Sequence, residues 1–207
     1  MTSRVWYMVC ICGLASYLSG CGRSGYGPMQ GAYYKDPHVD LRGLGNVAFL
    51  ELANTTGYPE VARQVTEVSY AALQKRQQFG IKVVLSDDPT WRTLDVRSDL
   101  LPQPQACAAI RKALDCNGLL TGVVTEYRPF PHLMIGLRMR LLDLRDGRVV
   151  WAMEQIWDAS DRHTASRIKD YIQGQTRASK GSMAEQLASI STLEFLRFVA
   201  YEISRTL

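Results

Sequence analysis

Ser166-Arg167-Ile168-Lys169 sets a hydroxyl and an amine at a spacing that chemistry can use. On a helix Lys169 lies one turn from Ser166, near enough to take its proton and turn it into a nucleophile. Lys180-Gly181-Ser182 could supply a basic element to such a site. The Ser-Asp element that should follow the serine, Ser98-Asp99, instead precedes it, and the chain is too short for the fold that uses all three. The alternative is a solvated helix face, with Ser166 and Lys169 outward and Ala165, Ile168 and Ile172 inward. His38, His132 and His163 belong to no triad, and no phosphate loop or metal-ligand spacing occurs. The expectation is a protein that is not an enzyme, without catalytic, cofactor-binding or metal-binding residues.

Cys21 carries the stronger signal. It closes the run Leu18-Ser19-Gly20-Cys21, which follows a short apolar stretch from Val5 to Tyr17 that begins just after Arg4. That stretch falls short of the ~20 apolar residues that cross a bilayer, and it suits a signal-peptide core ended by small residues. The run resembles the lipobox of bacterial lipoproteins. The resemblance implies that the Cys21 sulfur takes a diacylglycerol, that the bond after Gly20 is cut, and that the new amino terminus is acylated. Residues 1–20 would then leave as a lipoprotein signal peptide. Each buried CH₂ contributes about 0.8 kcal/mol, so several acyl chains anchor far more firmly than one. Gly22 follows the cysteine where Asp would signal retention in the inner membrane. Resemblance to lipoproteins of Gram-negative bacteria thus implies the outer membrane, with the lipid-anchored domain facing the periplasm.

Residues 21–207 suffice for one domain of ordinary size with material left for a linker. The formal charge of +4 includes Arg4, and the remaining Lys and Arg residues are scattered among Asp and Glu. That balance argues against a nucleic-acid partner. Of five cysteines, Cys10 and Cys12 leave with the signal and Cys21 takes lipid, so Cys107 and Cys116 remain. If the segment between them is helical, their Cα atoms stand about 13 Å apart, whereas a disulfide tolerates no more than about 7 Å. Two separate, mostly buried thiols are expected; a bridge stays open only if Cys116 lies well past the helix end.

From Gly22 to Gly45 the chain is rich in Gly, contains Pro28 and Pro37, and shows no hydrophobic period. Residues 21–45 therefore read as a lipidated flexible tether that could reach about 80 Å stretched and averages about 27 Å when flexible. The domain, 46–207, opens with a buried strand, Val47-Ala48-Phe49-Leu50, ended by Asn54-Thr55-Thr56-Gly57. A helix follows, with Pro59 at its first position and Tyr58, Val61, Val65, Val68 and Ala72 recurring every three or four residues. It runs to about Gln77. A second strand covers Ile81 to Leu85, and Ser86 to Gln105 is a proline-broken loop with one helical turn. A second helix spans about Gln105 to Asp115, with Asn117-Gly118 tolerating the left-handed conformation at its end.

Three β segments come next: Leu119 to Tyr127, Met134 to Leu142 and Arg148 to Trp157. Asp146-Gly147 between the last two is a hairpin signal of the primed-turn type. In the middle segment Ile135, Leu137, Met139 and Leu141 alternate with Gly136, Arg138 and Arg140, giving one apolar and one charged face. Ser160 can cap a helix from Asp161 to Ile172. Gln173 to Ser182 is a polar loop, and a last helix runs from about Met183 to Arg205 with Leu193, Leu196, Ala200, Ile203 and Leu207 as its buried stripe. The fold class is α/β bordering on α+β, a single mixed sheet of about five strands with helices packed on it, in the order β-α-β-α-β-β-β-α-α.

Three places carry a further resemblance: Val47 to Thr56 with its strand and Asn-x-Thr turn, Leu119-Leu120-Thr121-Gly122-Val123-Val124-Thr125-Glu126-Tyr127, and Leu141-Leu142-Asp143 through Asp146-Gly147-Arg148-Val149-Val150-Trp151. Together they resemble a group of periplasmic α/β lipoprotein domains. The group includes the curli-secretion lipoproteins, the lipoprotein activators of penicillin-binding proteins, flagellar outer-membrane lipoproteins and the amino-terminal domain of TolB. The resemblance implies a domain that binds proteins rather than catalyses, here a protein-interaction or assembly module of the cell envelope with an envelope protein as partner. The alternative is a subunit of an oligomeric outer-membrane secretion pore, and so a homo-oligomer. Candidate contact surfaces are the Ser86 to Gln105 loop, the Arg138 and Arg140 sheet face, and the Gln173 to Ser182 loop. Asn54 and Thr55 also suit a self-closing turn, Gly122 a close backbone approach, and Trp151 the core.

Overall fold

Alternating side chains build the centre of the sheet where the sequence placed three β segments. The computed structural model describes residues 32–93, 102–175 and 191–207. Its strands are β1 (Ala32–Lys35), β2 (Asn46–Leu50), β3 (Ala53–Asn54), β4 (Gly80–Val84), β5 (Gly118–Arg128), β6 (Met134–Asp143) and β7 (Arg148–Asp158). Its helices are α1 (Val61–Gln74), α2 (Pro89–Thr93), α3 (Pro104–Leu114), α4 (Arg162–Gln175) and α5 (Thr192–Thr206). One mixed sheet runs β1-β7-β6-β5-β2-β4, with β3 also on β5. The β5–β6–β7 meander and β1 are antiparallel, while β2 pairs in parallel with β4 and β5. A parallel partner needs a crossover, and α1 supplies it between β3 and β4.

Helices cover the two faces unequally. On one face Val65 and Leu73 of α1, Ile168 of α4 and Phe195, Val199 and Ile203 of α5 join Phe49, Leu137, Trp151 and Trp157 in the main core. On the other, Cys107, Ile110 and Leu114 of α3 pack on Ala48, Leu50, Val84, Leu119 and Leu142. Within the main core Thr66 is fully buried: its Oγ1 accepts from Leu52 N at 3.0 Å and donates to Ala62 O at 2.7 Å. Thr66→Val keeps the shape but leaves the Leu52 N–H buried without an acceptor, a loss of about 1–3 kcal/mol. A urea midpoint equal to that of the unsubstituted protein would refute this assignment.

Several expectations need correction. The segment read as a tether is ordered from Ala32: β1 pairs with β7, and beyond it Leu41 and Leu44 are buried in a 3-10 turn capped by Asp40. A four-residue strand shows too little period to be read, and its partner edge lies more than a hundred residues on. With the two-residue β3, β1 raises the strand count to seven from the expected five or so. The left-handed residue at the end of α3 is Asp115, with φ 50°, while Asn117 leads directly into β5. Asp161, not Ser160, receives the Thr164 N–H at the start of α4, at 2.9 Å. Leu193 is exposed rather than part of the α5 stripe. The β6–β7 connection has four residues, 144–147, and Gly147 supplies the positive φ expected of it, at 76°, with its N–H on Asp143 O at 2.8 Å.

Other readings agree with the structure. The Asn54 side chain closes its own turn, accepting from Thr56 N at 2.9 Å. A Cβ on Gly122 would press on the Arg138 carbonyl oxygen, so the close approach of β5 and β6 requires glycine there. Trp151 is fully buried and donates from Nε1 to Thr206 Oγ1. Gly20, Cys21, the 94–101 part of the proline-broken loop and residues 176–190 lie outside the described residues.

Candidate interaction surface

α3 covers β2, β4, the start of β5 and the end of β6 on its face, so the rest of that face depends on what strand alternation turns outward. Cross-strand pairing brings Arg138 opposite Glu154, Arg140 opposite Ala152, and Ala152 opposite Tyr34. These residues, with Tyr33, line a shallow groove of about 510 Å³. Arg138 reaches Glu154 at 2.8 Å. That hydrogen bond and the opposite charge hold the Glu154 carboxyl below its ordinary range and the Arg138 guanidinium above it. Both partners are exposed, and solvent screening leaves such a pair little stabilising weight. What it contributes is a mixed-charge strip beside two half-exposed tyrosines.

The sheet-face reading of Arg138 and Arg140 thus finds its place, but it lacked Tyr33 and Tyr34. Two adjacent tyrosines in a glycine-rich stretch were the available signal. The start of the 86–105 loop sits elsewhere, at the end of β4. There Arg63 lies 3.2 Å from Asp87 and 3.6 Å from Glu51, and Glu51 accepts from Ser86 N at 2.8 Å. The 173–182 loop begins as the last turn of α4, and its remainder lies outside the described residues. A second groove, of about 710 Å³, runs over α1, α4 and α5 between Val68, Ala72, Tyr171 and Tyr201. Sequence periodicity gave no warning of it, because it arises from the spacing between helices.

Ser166 and Lys169 are both exposed on α4, and His163 is exposed at its start. Among the described residues no group of three or more His, Cys, Asp or Glu could hold a metal ion. Cys107 and Cys116 are free and buried. Burial raises both thiol pKa values, chiefly through loss of water around the thiolate. Thiolate reactivity falls accordingly, so a water-soluble maleimide is expected to leave both unlabelled in the native protein and to modify both in denaturant. Fast native labelling of either would contradict their placement.

No protein-family model matches the sequence, and no curated protein matches it. Among solved structures, the PelC dodecamer from Paraburkholderia phytofirmans aligns at TM-score 0.47 and 16% identity, over 83% of this chain and 94% of that one. Lipoprotein GNA1162 from Neisseria meningitidis aligns at 0.47 and 13%, over 65% and 99%. The LpoB C-terminal domain from Salmonella enterica aligns at 0.40 and 16%, over 58% and 86%. All three likenesses fall below 25% identity and below a TM-score of 0.5.

Proposed function

We propose that the mature chain is a lipid-anchored protein of the outer membrane whose periplasmic α/β domain is a non-enzymatic interaction or assembly module for an envelope protein. The observation that carries this reading is Cys21, closing Leu18-Ser19-Gly20 after a short apolar run and standing just ahead of an ordered sheet that starts at Ala32. Restriction to a membrane surface raises the local concentration of such a domain near its partners, so modest contacts suffice. The Tyr33, Tyr34, Arg138 and Glu154 groove offers those contacts. Cross-linking in cells followed by mass spectrometry tests it. One recurrent envelope protein, lost on Tyr34→Ala with Arg138→Ala, supports the module; an unchanged pattern argues against this surface.

A pore subunit is the second reading. β1 and β4 close the two edges of the sheet, and the outer side of each faces no other described strand. Such edges can pair with a neighbouring copy. Size analysis after mild-detergent extraction decides: a discrete large ring favours the pore, and a monomer removes it.

A further inference from the structure

The direction of β1 decides which end of the domain faces the lipid. β1 runs antiparallel to β7, with Ala32 beside Glu154 and Lys35 beside Trp151. The chain before Ala32 therefore enters from the end of the sheet where β7 finishes at Asp158 and where residues 129–133 join β5 to β6. From Cys21 to Ala32 there are eleven residue steps, a span of at most about 40 Å whatever its conformation. An anchor at Cys21 cannot hold the domain far from its membrane.

Four of the six large apolar side chains left exposed among the described residues lie at that same end. Phe130, in the β5–β6 connection, is 82% exposed. Ile156 lies two residues before the end of β7, and Tyr58 meets Tyr127, near the end of β5, edge-on at 5.1 Å. Leu193 follows Thr192, whose hydroxyl approaches the Tyr127 phenol. Each of these three is about half exposed, as are Tyr33 and Tyr34, which pair with Met153 and Ala152 midway along β7. At the opposite end, the 144–147 turn and the end of α3 expose Arg145, Asp146, Arg111 and Lys112, and none of the six apolar groups is there.

We infer that the Phe130, Tyr58, Ile156 and Leu193 end of the sheet is a lipid-docking face that rests in the head-group region of the bilayer holding the Cys21 anchor. The inference rests on the anchored reading above and adds an orientation to it. Charge at this end is mixed, with Glu60, Glu126, Arg128 and Arg162 all exposed, so the partner is an uncharged lipid surface met by apolar and aromatic groups rather than an anionic one. Pro129 and Pro131 flank Phe130, and their fixed φ reduces what ordering the loop must cost on contact.

The test uses the full acylated protein in phosphatidylcholine vesicles, with a nitroxide at Phe130→Cys, at Leu193→Cys or, as the far-end control, at Lys112→Cys. Cys107 and Cys116 are buried and do not compete for the label. Collision with lipid-dissolved oxygen, relative to a water-soluble nickel complex, is expected to be several-fold higher at positions 130 and 193 than at 112. Water-like exposure at all three sites overturns the docking face, and an acyl mass on the Cys21 peptide then leaves the anchor standing. Protection from both reagents at 130 means that protein covers this end, and lipid-like exposure at 112 as well means that no end is preferred; each overturns the proposal. Absence of acyl mass with loss from the vesicles removes the anchor and the docking face together.

Discussion

Cys21→Ala is expected to empty the outer-membrane fraction of this protein and to leave residues 1–20 attached, with no acyl mass on the chain. The effect is close to all-or-none because one sulfur carries both consequences. Without the thiol there is no diacylglycerol, and the lipobox resemblance implies that the cut after Gly20 is made at this same cysteine. A single myristoyl chain binds membranes only marginally, with a constant of about 10⁴ M⁻¹, whereas two or more signals anchor stably. No described helix is long and apolar enough to cross a bilayer. Intact mass together with density-gradient fractionation reads both consequences. A variant of the same mature mass in the same fraction as the unsubstituted protein would sink the lipoprotein reading at its root.

Replacing Glu202 is expected to be the most damaging single change to the fold among the buried polar groups. Its Oε2 accepts from Trp157 Nε1 at 2.7 Å, and its Oε1 lies 3.0 Å from Arg167 Nε, off the N–H direction, so that second contact is ionic rather than an aligned hydrogen bond. Glu202 is 4% exposed and thereby ties α5 to both β7 and α4 in the main core. Glu202→Ala leaves a half-buried cation without its counter-charge and strands a buried indole N–H, and removing one partner of a buried pair costs about 3–5 kcal/mol. Arg167 keeps some access to water, which places the loss near the lower figure. For a domain of this size that is a fall of about 6–12 °C in Tm. Glu202→Gln retains an acceptor for Trp157 and should fall less. Thermal unfolding followed by circular dichroism compares the two, and equal Tm values for Ala, Gln and Glu would show that the network contributes nothing.

Local patterns account for most of what could be read before the fold was known. β6 was legible because Ile135, Leu137, Met139 and Leu141 alternate with Gly136, Arg138 and Arg140, and a pleated strand converts that alternation directly into two faces. α1 was legible by the three-and-four spacing of its apolar residues, although the residue that ends α3 and the one that caps α4 were not. Asp115 rather than Asn117 took the left-handed position, and Asp161 rather than Ser160 capped α4, because several polar residues near a helix end compete and packing selects among them. β1 was missed for a different reason. Ala32–Lys35 has little strand signal of its own and becomes a strand by completing the edge that β7 presents.

The same division holds for the candidate surface. Arg138 and Arg140 could be assigned to one sheet face from the sequence, but Tyr33 and Tyr34 joined them only through β1, and Tyr58, Phe130, Ile156 and Leu193 met at one end only through the directions of four separate elements. By itself the sequence determined the lipobox resemblance, the order of the main strands and helices and the faces they bury, since each is written in residues that are neighbours along the chain. Tertiary structure alone decided that Ala32–Lys35 joins the sheet, how Glu202 joins three elements, and which end carries Phe130, Tyr58, Ile156 and Leu193. Those depend on register and direction between segments up to a hundred residues or more apart, and no local spacing encodes them.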